Sequence, residues 1–79
     1  MHIQLRAFHQ LRHLTDGLPA DGRLELASRA TVAEVLTRLG LDQDPPEGLI
    51  VFRNGRPAGR HTLLESGDRL TLMAPLAGG

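Results

Sequence analysis

The sequence has 79 residues, of which 41% are apolar, and its nine arginines balance nine acidic residues, with no lysine. A chain of this length predicts one small domain that has little room for a catalytic cavity beside its core. The zero net charge provides no basic face for nucleic acid, and the absence of cysteine excludes disulfides, thiolate metal sites and cysteine nucleophiles. The first residues lack the apolar run of a signal peptide and no stretch has the length of a membrane span, so we expect a cytoplasmic protein that binds neither nucleic acid nor membranes.

The first third of the chain predicts two strands that pair as a hairpin. In residues 2–8 apolar side chains hold the odd positions, which predicts a strand with its odd face on the core and Phe8 on the opposite face. Residues 9–15 contain two leucines three positions apart and predict a short helical turn or a packed loop. Residues 16–22 are rich in turn-forming residue types, and residues 23–26 alternate again as a second strand.

One helix is predicted after residue 30. Thr31 and Glu34 have the spacing of a capping box, in which each side chain accepts a hydrogen bond from a backbone amide at the start of the helix. The apolar side chains that follow recur at helical spacing and form one face: Val32, Val35, Leu36 and Leu39. Gly40 can adopt the left-handed conformation that ends a helix.

The second half of the chain predicts three more strands. Residues 49–52 are a continuous apolar run, which we interpret as a central strand, and Asn54-Gly55 is a strong two-residue hairpin turn. Residues 56–58 can form only a short edge strand, because Pro57 has no amide hydrogen to donate. After a turn at residues 67–68, the last strand places its apolar residues on one face: Leu70, Leu72 and Ala74.

The order strand, strand, helix, strand, short strand, strand predicts an α+β fold in which a mixed sheet of four to five strands packs on one helix. The helix covers one face of the sheet, and the open face is either inert or a docking surface. We predict a docking surface formed by Phe8, Val51 and Met73. Val51 and Phe52 point to opposite faces as strand neighbours, and the sequence leaves open which of them faces the core; Val51 joins the docking surface if Phe52 points inward.

The last five residues predict a flexible tail that follows a domain of residues 1–74. Two terminal glycines leave no side chain near the terminal carboxylate of Gly79, so that this carboxylate can enter a channel only a backbone wide. A frayed terminus is the alternative interpretation of Gly78 and Gly79 taken alone. The partner-binding residues of the predicted tail, 75–79, are Pro75, Leu76, Ala77 and Gly78.

Four stretches together resemble the β-grasp, ubiquitin-like sulfur carriers, a family that includes the thiazole-biosynthesis carrier (ThiS-like) and the small subunit of molybdopterin synthase (MoaD-like). These stretches are residues 3–12, 30–36, 53–55, and 64–70 with the end at 75–79. The length of the chain and its opening stretch favour the molybdopterin branch. That branch usually shows two adjacent prolines where this chain has Ala74 and Pro75. This difference weakens the assignment of the chain to one biosynthetic pathway.

The resemblance implies a mechanism in which this chain is a carrier and substrate, not an enzyme, and binds no cofactor itself. A partner resembling the ubiquitin-activating enzymes would adenylate the carboxylate of Gly79 with ATP and magnesium. A sulfur donor protein would then replace AMP and leave a thiocarboxylate. The large subunit of molybdopterin synthase, or thiazole synthase in the other branch, would take the sulfur.

Two further interpretations stay open at this point. The chain could serve a thiazole or other pathway-specific carrier role, or it could be a ubiquitin-like interaction module or a protein modifier without sulfur transfer. A metal site is not expected, because His9 and His13 lie four residues apart without an evident third ligand.

Overall fold

Five strands form one mixed sheet in the computed structural model, which describes residues 1–74 of the chain. The elements are β1 (His2–Ala7), a 3₁₀ helix (His9–Thr15), β2 (Arg23–Glu25), α1 (Val32–Arg38), β3 (Ile50–Arg53), β4 (Arg56–Pro57) and β5 (Arg69–Met73). The strand order across the sheet is β2-β1-β5-β3-β4, with β1 and β5 parallel and every other pair antiparallel. Within the described residues, the predicted mixed sheet and single α-helix are therefore confirmed. β3 is an interior strand, as predicted, and β5 lies in the middle of the sheet.

The core lies on one face of this sheet and includes the apolar face of α1. Alternate residues of the two central strands and two residues of α1 are its largest fully buried side chains: Ile3, Leu5, Leu70, Leu72, Val32 and Val35. Leu11 of the 3₁₀ helix is buried in the same cluster, as the leucine spacing predicted. Burial of each such side chain stabilises the fold by roughly 1.5–3 kcal/mol before the entropy cost of ordering the chain.

The start of α1 differs from the capping box that the sequence predicts. Thr31 is the N-cap residue, but its side chain makes no capping hydrogen bond. Instead the amides of Val32 and Ala33 donate to the backbone carbonyls of Thr62 and Arg60, at 3.1 Å and 2.9 Å. A loop distant in sequence satisfies the first amides of the helix, so the hydroxyl of Thr31 is not needed for that purpose.

The end of α1 agrees with the prediction for Gly40. Its φ is +76°, and the amides of Gly40 and Leu41 donate to the carbonyls of Thr37 and Leu36 at 3.0 Å and 2.8 Å. This pair of bonds is a Schellman motif, in which a left-handed residue ends the helix. The hairpin turn is also confirmed, since Asn54 and Gly55 both have positive φ, as a type I′ turn requires.

Candidate functional site

The open face of the sheet carries the side chains that alternate with the core residues. On β5 these are Arg69, Thr71 and Met73, whose neighbours Leu70 and Leu72 are buried in the core. The register places Ile50 of β3 opposite Met73, and Phe52 opposite Thr71. Apolar side chains therefore concentrate at the end of the face where β5 finishes.

We define this apolar patch by four residues: Phe8, Ile50, Phe52 and Met73. Phe8 is 41% exposed and Ile50 is 46% exposed, whereas the other two are half-buried. Phe8 comes directly after β1, and its amide donates to the carbonyl of Leu72 at 3.2 Å. The parallel pairing of β1 with β5 therefore continues past Ala7 and places Phe8 beside Met73. Two exposed and two half-buried large apolar side chains therefore lie together on this face, which makes it a candidate docking surface.

The prediction that Val51 belongs to this surface is wrong. Val51 is only 8% exposed and pairs with the buried Leu72, so its side chain points into the core. Phe52 consequently faces outward, which settles the alternative that the sequence left open. The cause is the register of β3 against β5, and a continuous apolar run carries no alternation from which that register could be read. Phe8 and Met73 do lie on the open face, as predicted.

A groove of about 1130 Å³ lies beside the apolar patch on the same face. Its floor is formed by side chains of β1 and β5, Gln4, Arg6, Arg69 and Thr71, and its wall by residues 15, 16 and 18–22. The wall is tied to the sheet at Gly22, whose carbonyl accepts a hydrogen bond from the amide of Leu5 at 2.8 Å. Gly22 has a φ of +77°, and a Cβ there would collide with the carbonyl oxygen of Leu5, so only glycine fits this junction.

A buried carboxylate, Asp68, fixes the turn that leads into β5. Its oxygens accept hydrogen bonds from Arg53 Nε at 2.7 Å, from Asn54 Nδ2 at 3.0 Å and from the amide of Glu65 at 2.8 Å. Burial by itself would raise the pKa of Asp68, but these donors and the charge of Arg53 outweigh it, so the pKa lies below its ordinary value. The hydrogen bond and charge of Asp68 in turn raise the pKa of Arg53.

Asn54 extends this cluster to the first residue of β5. The amide of Arg69 donates to Asn54 Oδ1 at 2.9 Å, and the amide of Asn54 donates to the carbonyl of Arg69 at 2.8 Å. The β3–β4 turn is thereby joined to the start of the central strand. The sequence indicated a turn at each of these places but not their contact, since 14 residues separate Asn54 from Asp68.

The predicted tail residues, Pro75, Leu76, Ala77, Gly78 and Gly79, lie outside the described residues. β5 ends with Met73 in the apolar patch, and the next residue, Ala74, is buried in the core. The chain therefore enters the tail segment directly from the border of the patch. Within residues 1–74, no three side chains of the types that bind metals lie together, and no helix is long and apolar enough to cross a bilayer.

The model of the ThiS family matches residues 5–79, which is nearly the whole chain and includes the two terminal glycines. No curated protein matches the sequence.

Three solved structures illustrate the likeness of the fold. Small archaeal modifier protein 1 from Haloferax volcanii has 24% identity and a TM-score of 0.74, with 95% of this chain and 98% of that chain covered. A Pyrococcus furiosus protein provisionally assigned as molybdopterin converting factor subunit 1 has 19% identity and a TM-score of 0.75, with 95% and 98% covered. The ubiquitin of Caldiarchaeum subterraneum has 24% identity and a TM-score of 0.62, with 100% and 98% covered. These likenesses confirm the predicted ubiquitin-like β-grasp fold.

Proposed function

The chain belongs to the ThiS family, and we propose on that basis that it is a sulfur carrier whose Gly79 carboxylate is adenylated and then converted to a thiocarboxylate. The observation that carries the proposal is the extent of the family match, which runs through Gly78 and Gly79. The apolar patch at the end of β5 supports it, because a partner that covers the patch lies where the tail begins.

The chemistry explains why a carrier of this kind needs a partner. A terminal carboxylate has a pKa of about 3.3–3.7 and is ionised at neutral pH, which makes its carbon a poor electrophile. Attack of that carboxylate on the α-phosphate of ATP, with magnesium held by the partner, releases pyrophosphate and forms a mixed anhydride. Hydrosulfide supplied by a donor protein then attacks the carbonyl carbon, AMP leaves, and the sulfur stays on Gly79 as the thiocarboxylate. The chain is the substrate of both steps and supplies no catalytic group.

We propose further that the partners are an adenylating enzyme resembling the ubiquitin-activating enzymes and the large subunit of molybdopterin synthase. The length of the chain, its opening residues 3–12 and the likeness of its fold to the Pyrococcus furiosus protein support the molybdopterin branch. Thiazole synthase is the alternative recipient, which the membership of the chain in the ThiS family favours. Addition of either purified recipient to the thiocarboxylate form distinguishes the two, because only the true recipient consumes the sulfur.

The first experiment uses the absence of cysteine. The chain is incubated with the adenylating enzyme of its own genome, ATP and a sulfur source, then treated with a thiol-specific alkylating reagent and fragmented in a mass spectrometer. We expect an adduct on the thiocarboxylate of Gly79, because the chain has no cysteine that could react with the reagent instead. Localisation of the adduct is essential, since oxidation of a methionine changes the mass almost as much as an oxygen-to-sulfur exchange. A variant without Gly78 and Gly79 should give no adduct, and a lack of adduct in the intact chain with an active enzyme would contradict the proposal.

The second experiment tests the apolar patch. Ile50→Glu places a charge in the patch and should leave the melting temperature nearly unchanged, because the residue is 46% exposed, while it abolishes adenylation. Leu63→Glu is the matched control, because Leu63 is 50% exposed and pairs with Thr31 at the start of α1, outside the patch. Equal adenylation of the two variants would show that the patch does not dock the enzyme.

A protein modifier is the second candidate function. The fold is shared with small archaeal modifier protein 1 and with ubiquitin, and the terminal glycines suit conjugation as well as sulfur transfer. The same mass spectrometry separates the two functions. A modifier leaves its carboxyl carbon in an isopeptide bond to lysines of other proteins, whereas a carrier accumulates the thiocarboxylate.

A further inference from the structure

Two arginine side chains on the floor of the groove form no ion pair with the part of the chain that the structure describes. Arg6 of β1 and Arg69 of β5 are both exposed and both line the groove. Within residues 1–74, neither guanidinium takes part in an ion pair or a side-chain hydrogen bond. Each is held on the open face because its strand neighbours, Leu5 and Leu70, are fully buried. The two positive charges therefore project from a rigid part of the sheet into the groove.

The register brings these arginines close enough to act on one group. Arg69 pairs with Gln4, and Arg6 lies two residues further along the same strand, opposite Thr71. With strands about 4.8 Å apart and a rise of about 3.3 Å per residue, the two Cα atoms are separated by roughly 8 Å. Side chains as long as arginine can converge across that distance on a single carboxylate. Gln4 and Thr71 supply further polar groups between them on the groove floor.

The opposite wall limits which anions can enter. Asp16 and Asp21 line the groove across from the arginines, and Asp21 Oδ1 accepts a hydrogen bond from the amide of Arg23 at 3.1 Å. These carboxylates repel a ligand that carries negative charge along its whole length, such as a nucleic acid or a polyphosphate. The groove instead suits a protein segment with one acidic side chain over the arginines and neutral or basic groups toward the wall.

We propose that this groove binds an aspartate or glutamate on a surface segment of the adenylating enzyme, next to the contact made by the apolar patch. Phe8 belongs to both surfaces, so one partner segment can cover them together. The apolar patch supplies the buried contact area, and Arg6 and Arg69 select a partner with an acidic residue at the matching place. The identity of the partner rests on the proposed function, whereas the charge selection rests on the groove.

The test compares Arg6→Ala/Arg69→Ala with the wild-type chain in titrations against the purified adenylating enzyme of the same genome, at low and at high salt. The double variant should bind roughly tenfold more weakly at low salt and should lose most of the salt dependence of the wild type. Arg6→Glu/Arg69→Glu should bind still more weakly. Arg56→Ala is the matched control, because Arg56 is an exposed arginine of β4 outside the groove, and it should bind like the wild type. Because the substituted side chains are exposed, all variants should keep the wild-type melting temperature.

Binding and thiocarboxylate formation are measured separately, so that a failure of this inference can be distinguished from a failure of the proposed sulfur transfer. If the wild type binds and the double alanine variant binds within about twofold of it, or if the wild type does not bind, the inference is overturned. If the wild type binds with the expected arginine dependence but never forms a thiocarboxylate, the inference stands and the proposed sulfur transfer fails. Binding of ATP alone to the chain, lost in the double alanine variant, would assign the groove to a phosphate ligand and would also overturn the inference.

Discussion

Replacement of Asp68 by Asn removes one negative charge from the turn before β5 and barely changes the size of the side chain. The carboxylate accepts hydrogen bonds from Arg53, Asn54 and the amide of Glu65, at 2.7 Å to 3.0 Å. An amide has one oxygen and an NH₂ group, so it cannot accept all three bonds. At least one donor must then face the NH₂ group, and Arg53 loses its buried counter-ion.

The expected cost follows from these contacts. A hydrogen bond to a charged group stabilises a fold by about 1.5–3 kcal/mol. The side chain of Arg53 is 30% exposed, so water compensates part of its loss. We therefore expect Asp68→Asn to lower the free energy of unfolding by about 2–3 kcal/mol in total. For a domain of this size, that change corresponds to a fall in melting temperature of roughly 10–20 °C.

Thermal and urea unfolding across a pH series provide a second measurement. The pKa of Asp68 lies below its ordinary value, so its ionised form contributes stability above the unfolded-state pKa of 3.8 and loses it as the pH falls through the folded-state pKa. The gap in stability between wild type and Asp68→Asn should therefore be constant near neutral pH and should narrow in acid below that value. Asp44→Asn is the control, because Asp44 is exposed in a loop, and no gap is expected.

Two results would refute this reasoning. A melting temperature for Asp68→Asn within about 2 °C of the wild type would show that the carboxylate does not hold the turn. A difference in stability between the wild type and Asp68→Asn that stays constant as the pH falls would show that the charge of Asp68 is not the stabilising feature.

Two further predictions test the groove wall and the start of the helix. Gly22→Ala should lower the free energy of unfolding by about 2–4 kcal/mol, measured by urea unfolding, because the new Cβ would meet the carbonyl of Leu5. Gly55→Ala is the control: its φ of +84° is similar but the space around it is open, so we expect a loss of only about 1 kcal/mol. Equal losses in the two variants would contradict the collision at Gly22. Thr31→Ala should change stability by less than about 0.5 kcal/mol, because its side chain makes no capping bond, and a loss above about 1 kcal/mol would show that the hydroxyl does cap α1.

The elements of this fold could be predicted from local patterns, and the exceptions are places where distant segments meet. The helix end at Gly40 and the turn at Asn54 and Gly55 depend on residues within one or two turns of chain, and both are confirmed. The capping box failed because Thr62 and Arg60, about 30 residues away, supply the carbonyl groups that the first amides of α1 bond.

The residues of the candidate site also divide into those that local patterns predict and those that contacts between distant segments decide. Phe8 and Met73 could be placed on the open face because the residues that precede them in each strand alternate between apolar and polar types. Val51 could not, because its strand is apolar on both faces and a shift of one residue in register exchanges the faces. The Asp68 cluster gave no local signal, since an aspartate after a glycine is ordinary turn chemistry until Arg53 and Asn54 are brought to it.

The sequence by itself determined the family of this protein, the order of its strands and helix, and the two glycines on which the proposed chemistry depends. The tertiary structure decided which apolar residues are exposed, which carboxylate is buried among donors, and that Arg6 and Arg69 share one groove. The physical reason is that backbone conformation and side-chain alternation are set by near neighbours in the chain. Strand register and loop contacts are set by the free energy of burying one face of the whole sheet, to which residues far apart in sequence contribute together.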